Sequence, residues 1–507
     1  MRNRKDAIRI IGFVLYLAVV WLPLFYVCKK SECEITLPDA RRIGLFVNSI
    51  KLGGCTAILA CLLGVLAALF LHNSFLANKW YRYFFVILMP VPYYVYALSW
   101  MYLMRLLAVI WPEVLKYSAQ GFGACLFVET MTYIPIATLL ELAALEMRNR
   151  QTEEMALVYK SPIKVLMKNT IPEVLPYIVA AAGIIFILSV TDFSVPSMFQ
   201  YNTYMLDIYS VYSRTGSVAQ AYVMALPLSV LLLPLLSFVQ QAIKKISKPQ
   251  RSERFVPQRY PMWLQGSMVC AFGVLVCQVF LPILIFAVTT GSLKNARKSF
   301  EMIYEQIGTT LVIALPAAII AVLCAALAAG FLADRGNGVL WMAALGTMVL
   351  PGALQAMGLL DMVNGSVVHW MSTTVLMPAF GCALHYMPFA LIVLTGTIKR
   401  ADKQRRELAI LYERHWYQHL LLELGMFLPG ILCAIALVFF LSFGEEGIVL
   451  VLMPPGAETV SVKIYNYLHY GASEYVSGFC LMVTLFMFLI EVVLLWMMRR
   501  RYRGRHE

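Results

Sequence analysis

Carboxylates are scarce in this chain, and their placement is the first clue to its chemistry. Glu129, Asp192 and Glu445 lie inside or at the end of long apolar runs, and Asp192 and Glu445 are 253 residues apart. A carboxylate in such surroundings is costly unless it faces a cavity, a cation or a hydrogen-bonding partner. Paired acids of this kind can attract a cation, cap helices, or hold basic residues of a partner protein, and the residues alone leave all three open. Tyr-x-Pro recurs at the same 253-residue offset, at Tyr133–Pro135 and Tyr386–Pro388, with His385 beside the second copy. Glu129, Tyr133, Asp192, His385, Tyr386 and Glu445 are therefore candidates for a polar path through the chain. Glu129 equally suits a bond to a neighbouring helix.

A second repeated feature is polar and lies between apolar runs. Residues 153–176 read EEMALVYKSPIKVLMKNTIPEVLP and residues 407–429 read ELAILYERHWYQHLLLELGMFLP. A shift of 253 residues superposes Glu407 on Glu154, Ala409 on Ala156, Tyr412 on Tyr159 and Leu428-Pro429 on Leu175-Pro176. A Glu opening an amphipathic stretch suits a helix N-terminus, where the backbone dipole favours negative charge. The later Leu-Pro suits entry into the next helix. Thr203, Ile208 and Tyr209 match Thr459, Ile464 and Tyr465 at an offset of 256, so the repeat continues beyond Asp192 and Glu445.

The elements that hold these residues follow from composition. Apolar residues make up 61% of the chain and charged residues 14%, and mean hydropathy is +0.74, which is the composition of a polytopic membrane protein. Runs long enough to span a bilayer, about 20 residues each, fall near 8–28, 49–72, 83–107, 120–145, 176–199 and 220–243, and again near 262–290, 305–332, 338–362, 374–398, 427–445 and 476–498. The expectation is an all-α fold of about twelve transmembrane helices in two six-helix repeats, 1–243 and 262–507, joined by a basic linker at 244–261. The net charge of +13 reads as topology rather than nucleic-acid binding. Of the 41 Lys and Arg, 29 fall in the N-terminus and the alternate loops that share its side. The positive-inside rule then makes both termini and both repeated loops cytoplasmic. The first apolar run has no small-residue cleavage site after it and reads as a retained helix. Cys28 and Cys33 form the one cysteine pair near the opposite face, where a disulfide is possible.

The repeated Glu loops resemble the "EAA" loop of ABC-importer permeases, with Met155 and Leu408 where that loop has a small residue. Spacing back from Pro172 selects Glu153 as the motif acid, whereas the repeat selects Glu154, and both are kept. PYYVYALSW at 92–100, and the Thr, Ile-Tyr segments after Asp192 and Glu445, are similar to those of ferric-iron-type permeases. The resemblance implies the type I ABC importer permease fold with pseudo-two-fold symmetry, and docking loops at 146–175 and 399–428 that carry Glu153, Glu154, Ala156, Tyr159, Glu407, Ala409 and Tyr412. It implies a bacterial inner-membrane, multi-pass location. It also implies two copies of an ATP-binding subunit, a periplasmic or lipoprotein substrate-binding protein, and lipid around the helices. The cargo implied is ferric iron, with thiamine or 2-aminoethylphosphonate as alternatives.

No G-x-x-x-x-G-K-[ST] phosphate loop, H-E-x-x-H, C-x-x-C pair or nucleophile elbow is present, so the chain reads as a non-enzyme with no cofactor of its own, ATP and Mg2+ being used by the partner. An ion-gradient-driven secondary transporter also has internal repeats and is the alternative. The Glu loops and an expected lack of broken helices rich in charge speak against it. A membrane enzyme or receptor scaffold would need a catalytic cluster or output domain, and neither is visible.

Overall fold

A computed structural model describes residues 2–30, 39–74, 92–113, 120–147, 150–244, 258–400, 416–470 and 473–503. All the regular structure in them is helical. The first half comprises α1 (Arg2–Lys30), α2 (Ala40–Asn73), α3 (Tyr93–Ile110), α4 (Phe122–Met147), the short α5 (Arg150–Tyr159), α6 (Ile171–Thr191), α7 (Ser194–Met198), α8 (Tyr204–Thr215), α9 (Val218–Leu232) and α10 (Leu235–Lys244). The second half comprises α11 (Met262–Thr290), α12 (Leu293–Arg335), α13 (Gly338–Leu345), α14 (Gly352–Asn364), α15 (Leu376–Arg400), α16 (Trp416–Phe443), α17 (Gly447–Leu452), α18 (Val460–Tyr470) and α19 (Ser473–Arg503).

Ten of the described helices are long and apolar enough to cross a membrane, and twelve spans result if each bent pair, α9 with α10 and α13 with α14, counts as one. Many are apolar on every face, and Ile58, Leu62, Val230, Leu284 and Leu323 are among the side chains left outward, as lipid contact permits. The chain is thus an all-α polytopic membrane protein. The α13–α14 pair bends by 90°, so the chain does contain a broken helix, though not one rich in charge at its break. Pro351 at the break has no N–H to give, and Gln355 Nε2 takes up carbonyls freed there, Thr347 O at 2.5 Å and Leu350 O at 3.2 Å. No charged side chain lies at the break itself.

The repeat is visible in the packing. α2 packs against α4 and α6, and α12 packs against α15 and α16. At 34 and 43 residues, α2 and α12 are about 50 and 65 Å long, well beyond the ~30 Å hydrocarbon core. The Ala40 end of α2 carries α8 through Tyr204 N to Ser49 Oγ (2.9 Å) and Arg42 Nε to Asp207 (3.5 Å). The corresponding end of α12 carries α18 through Val460 N to Thr310 Oγ1 (3.0 Å) and Lys463 Nζ to Gln306 Oε1 (2.9 Å).

The first helix of each half packs on the other half. α1 lies along α12 and α14, and α11 lies along α2 and α3 as well as its own α19. Tyr16 Oη donates to Ala344 O (3.0 Å), Trp21 Nε1 donates to Ala343 O (2.8 Å), and Arg9 pairs with Asp334. The end of α2 is clamped to the segment before α11 by a reciprocal pair, Asn73 Nδ2 to Gln258 O (2.7 Å) and Gln258 N to Asn73 Oδ1 (2.6 Å). The described parts of the two halves therefore interlock. At one end the halves also meet at a single repeat position, where Arg400 Nη2 lies 3.2 Å from Met147 Sδ, 253 residues earlier.

Candidate functional site

The seam between the halves is built from the segments that follow α6 and α16. α6 ends at Thr191, and Asp192 turns the chain into α7. Its Oδ1 accepts Ser194 N (3.0 Å) and its Oδ2 accepts Val195 N (3.2 Å), an N-terminal capping arrangement. After α16, Glu445 does the same for α17. Its Oε1 accepts Ile448 N (3.0 Å), and its Oε2 accepts the Tyr386 hydroxyl from α15. The two acids that the repeat pairs are thus paired in geometry, each tied to the start of a short helix.

Two contacts join the halves here. Ser194 Oγ donates to Glu446 Oε2 (3.3 Å), and Tyr94 Oη donates to Ser461 Oγ (3.0 Å). The approach is close. A Cβ on Gly447 would stand 2.8 Å from Phe193 Cε1, and one on Gly444 would stand 3.0 Å from Pro92 Cγ. Phe193 itself stacks on Tyr209, with centroids 5.4 Å apart and planes 6° apart. His385 meets Tyr386 edge-on at 4.8 Å, and its buried Nδ1 has no partner among the described residues. α14 begins beside it, where a Cβ on Gly352 would lie 3.4 Å from His385 Cδ2.

Glu129 sits behind the seam inside the first half, 1% exposed. Its Oε2 accepts Thr56 Oγ1 of α2 (3.1 Å) and Ser189 Oγ of α6, while its Oε1 has no partner among the described residues. Tyr133, one turn along α4, is buried with it. The structure therefore gathers Asp192, Tyr386, His385 and Glu445 at the seam and holds Glu129 and Tyr133 one layer away. Ser194 and Glu446, which make the bond between halves, are the residues that spacing did not select. Neither has a like residue at its repeat position, since Gly447 stands opposite Ser194 and Phe193 opposite Glu446. Among the described residues, no group of three or more His, Cys, Asp or Glu is disposed to hold a metal ion.

The first polar repeat forms α5, with Glu153 in its first turn. Met155, Val158 and Tyr159, spaced to share one face, are 66%, 74% and 89% exposed. Glu154 is also exposed, and Glu153 and Ala156 are half-buried. The chain then passes Pro162–Val165 and a π turn at Leu166–Thr170 into α6, so that Pro172 makes the entry and Pro176 lies inside the helix. Glu407, Ala409 and Tyr412 lie outside the described residues, as does Cys33.

Residues 60–248 match the family described as "Binding-protein-dependent transport system inner membrane component". The chain is 21% identical over 490 residues to the Fe(3+)-transport system permease protein FbpB 2 of Haemophilus influenzae, covering 92% of this chain and 93% of that protein. No solved structure matches the chain.

Proposed function

We propose that the chain is a fused permease of the binding-protein-dependent ABC importers, which it resembles, and that it conducts ferric iron across a bacterial inner membrane by alternating access coupled to ATP hydrolysis in a separate subunit. Importers of this type work with an ATPase and a substrate-binding protein. Here two ATPase copies engage the loops 146–175 and 399–428, both cytoplasmic, as are both termini. The basic linker 244–261 rests against the anionic leaflet. ATP and Mg2+ belong to the partner.

The observation that carries this reading is α5. A short polar helix between two spanning segments leaves Met155, Val158 and Tyr159 outward on one face, and such a face suits a hydrophobic cleft on a partner. Closure of the ATPase pair on ATP draws the two loops together, and the halves rock as rigid bodies, exchanging the contacts Ser194–Glu446, Tyr94–Ser461 and Met147–Arg400. Ferric iron is favoured because the groups nearest the seam are carboxylates and phenols, oxygen donors that suit a hard cation, and because the Haemophilus relative carries that name.

A second reading, transport driven by an ion gradient, is favoured by the 90° break between α13 and α14, since discontinuous helices form the sites of many secondary transporters. The test is reconstitution of the full chain with its ATPase and binding protein in proteoliposomes. Uptake of radiolabelled ferric iron that requires ATP and survives ionophores supports the proposal. Uptake abolished by ionophores and indifferent to ATP overturns the ATP coupling, and uptake of thiamine or 2-aminoethylphosphonate in place of iron overturns the cargo.

A further inference from the structure

Three buried acids, Glu129, Glu445 and Glu446, and the half-buried Asp192 lie at or behind the seam, and all but Glu446 are held within their own half. Both oxygens of Asp192 accept backbone N–H groups of α7. Glu445 divides its oxygens between Ile448 N and Tyr386 Oη. Glu129 is held by Thr56 and Ser189 within its own half. Glu446 differs from these. It is 3% exposed, and among the described residues its side chain's one hydrogen bond is from Ser194 Oγ, a neutral hydroxyl of the opposite half, at 3.3 Å.

Resting on the permease reading above, we propose that Glu446 is the carboxylate that meets the cargo cation, and that its bond to Ser194 is a latch that holds it while the halves are together and frees it when they part. Any rocking at this seam separates Ser194 from Glu446, because the two residues belong to different halves. The bonds of Asp192 and Glu445 lie within single halves and are carried along intact. Rigid-body motion thus changes the partner of one acid and leaves the others as they are.

The repeat gives the same assignment by a different route. Asp192 and Glu445 occur at one repeat position and make one kind of cap, which is what a duplicated structural role produces. Glu446 is matched by Phe193, and Glu129 by Cys382. The acids that are not duplicated are those a shared fold does not require. Open polar atoms stand beside the seam as well. Among the described residues, Oε1 of Glu129 is unpartnered, with Glu129 in electrostatic reach of Asp192, and Nδ1 of His385 is unpartnered beside Tyr386. Buried polar atoms of this kind call for a bound group to complete them.

The experiment uses the complex of full chain, ATPase and binding protein, with ferric iron as the probe. Glu446→Gln keeps an acceptor for Ser194 and removes the charge. It is expected to raise the half-saturating concentration of ferric-loaded binding protein about tenfold or more, with Glu446→Asp recovering part of the loss, as for removal of a direct charged contact. Asp192→Asn and Glu445→Gln are expected to lower the thermal midpoint, because each leaves the start of a short helix without its full cap. Ser194→Ala removes the latch and is expected to raise ATPase activity without cargo severalfold, with half-saturation unchanged. Unaltered half-saturation in folded Glu446→Gln, in a complex that transports iron, overturns the cargo role. Unaltered cargo-free ATPase in both Ser194→Ala and Glu446→Ala overturns the latch. Absence of iron uptake by the wild type, with the ATPase effect of Ser194→Ala present, refutes the iron reading and leaves the latch standing.

Discussion

Tyr159 offers the sharpest test of the docking face. It closes α5, is 89% exposed, and shares its face with Met155 and Val158. A tyrosine buries roughly 150–250 Å² when covered, and truncation to alanine removes about 100 Å² of that. At about 25 cal/mol per Å² the loss is about 2.5 kcal/mol, in the range of interface hot spots. At 1.4 kcal/mol per tenfold, Tyr159→Ala weakens the ATPase subunit at this loop by about 60-fold. The fold should not feel the change, because the side chain touches solvent rather than core. Native mass spectrometry of the detergent-solubilised complex, diluted below the weakened affinity, is expected to find two ATPase subunits on the wild type and one on the variant, the second loop being untouched. Equal thermal midpoints for the two forms show that the loss is local. Two subunits retained by Tyr159→Ala over the whole dilution series would refute the reasoning.

The remaining predictions concern the paired loops and the membrane core. Charge reversal of Glu154 together with Glu407 is expected to uncouple ATP hydrolysis from uptake, read as ATPase activity that persists while uptake falls at least tenfold; unchanged uptake counts against docking by both loops. Gly64→Ala adds a Cβ 2.6 Å from Ala137 Cβ and 2.6 Å from Glu141 Oε2, forcing α2 and α4 apart, at a cost of about 1–3 kcal/mol. Gly273→Ala meets nothing within 4 Å, so a thermal midpoint for the Gly64 variant as high as that of the Gly273 control would contradict the close packing. Glu491, on α19, is 1% exposed, and among the described residues neither carboxylate oxygen has a partner. Glu491→Met is expected to stabilise the protein by about 1–3 kcal/mol by removing an unsatisfied polar group, and a lowered thermal midpoint would overturn that.

What could be read from the residues alone depended on whether a position is repeated. The 253-residue offset that links Asp192 to Glu445 is visible in the sequence because both copies kept the same local task, capping a short helix, and the one that links Tyr159 to Tyr412 is visible because each lies in a polar stretch between apolar runs. The spans were legible for a similar reason, each being a long apolar run. The exchange of first helices was not, because α1 and α11 are apolar all round and carry no stripe to say which half they face; Tyr16 and Trp21 find Ala344 and Ala343 only in three dimensions. The right-angle break was hidden inside a continuous apolar run from 338 to 362. Leu350-Pro351-Gly352 marks it, and Gln355 makes it tolerable by bonding Thr347 O and Leu350 O. The bond from Ser194 to Glu446 escaped for a deeper reason. It joins two positions 252 residues apart, one short of the repeat offset. Each partner faces a residue of the other copy that has diverged, so a search for matching residues passes over it. At this seam the contact falls on neighbouring rather than identical repeat positions, unlike that of Met147 with Arg400. The residues that couple the two halves here are therefore found where the repeat fails, and the residues that build each half are found where it holds.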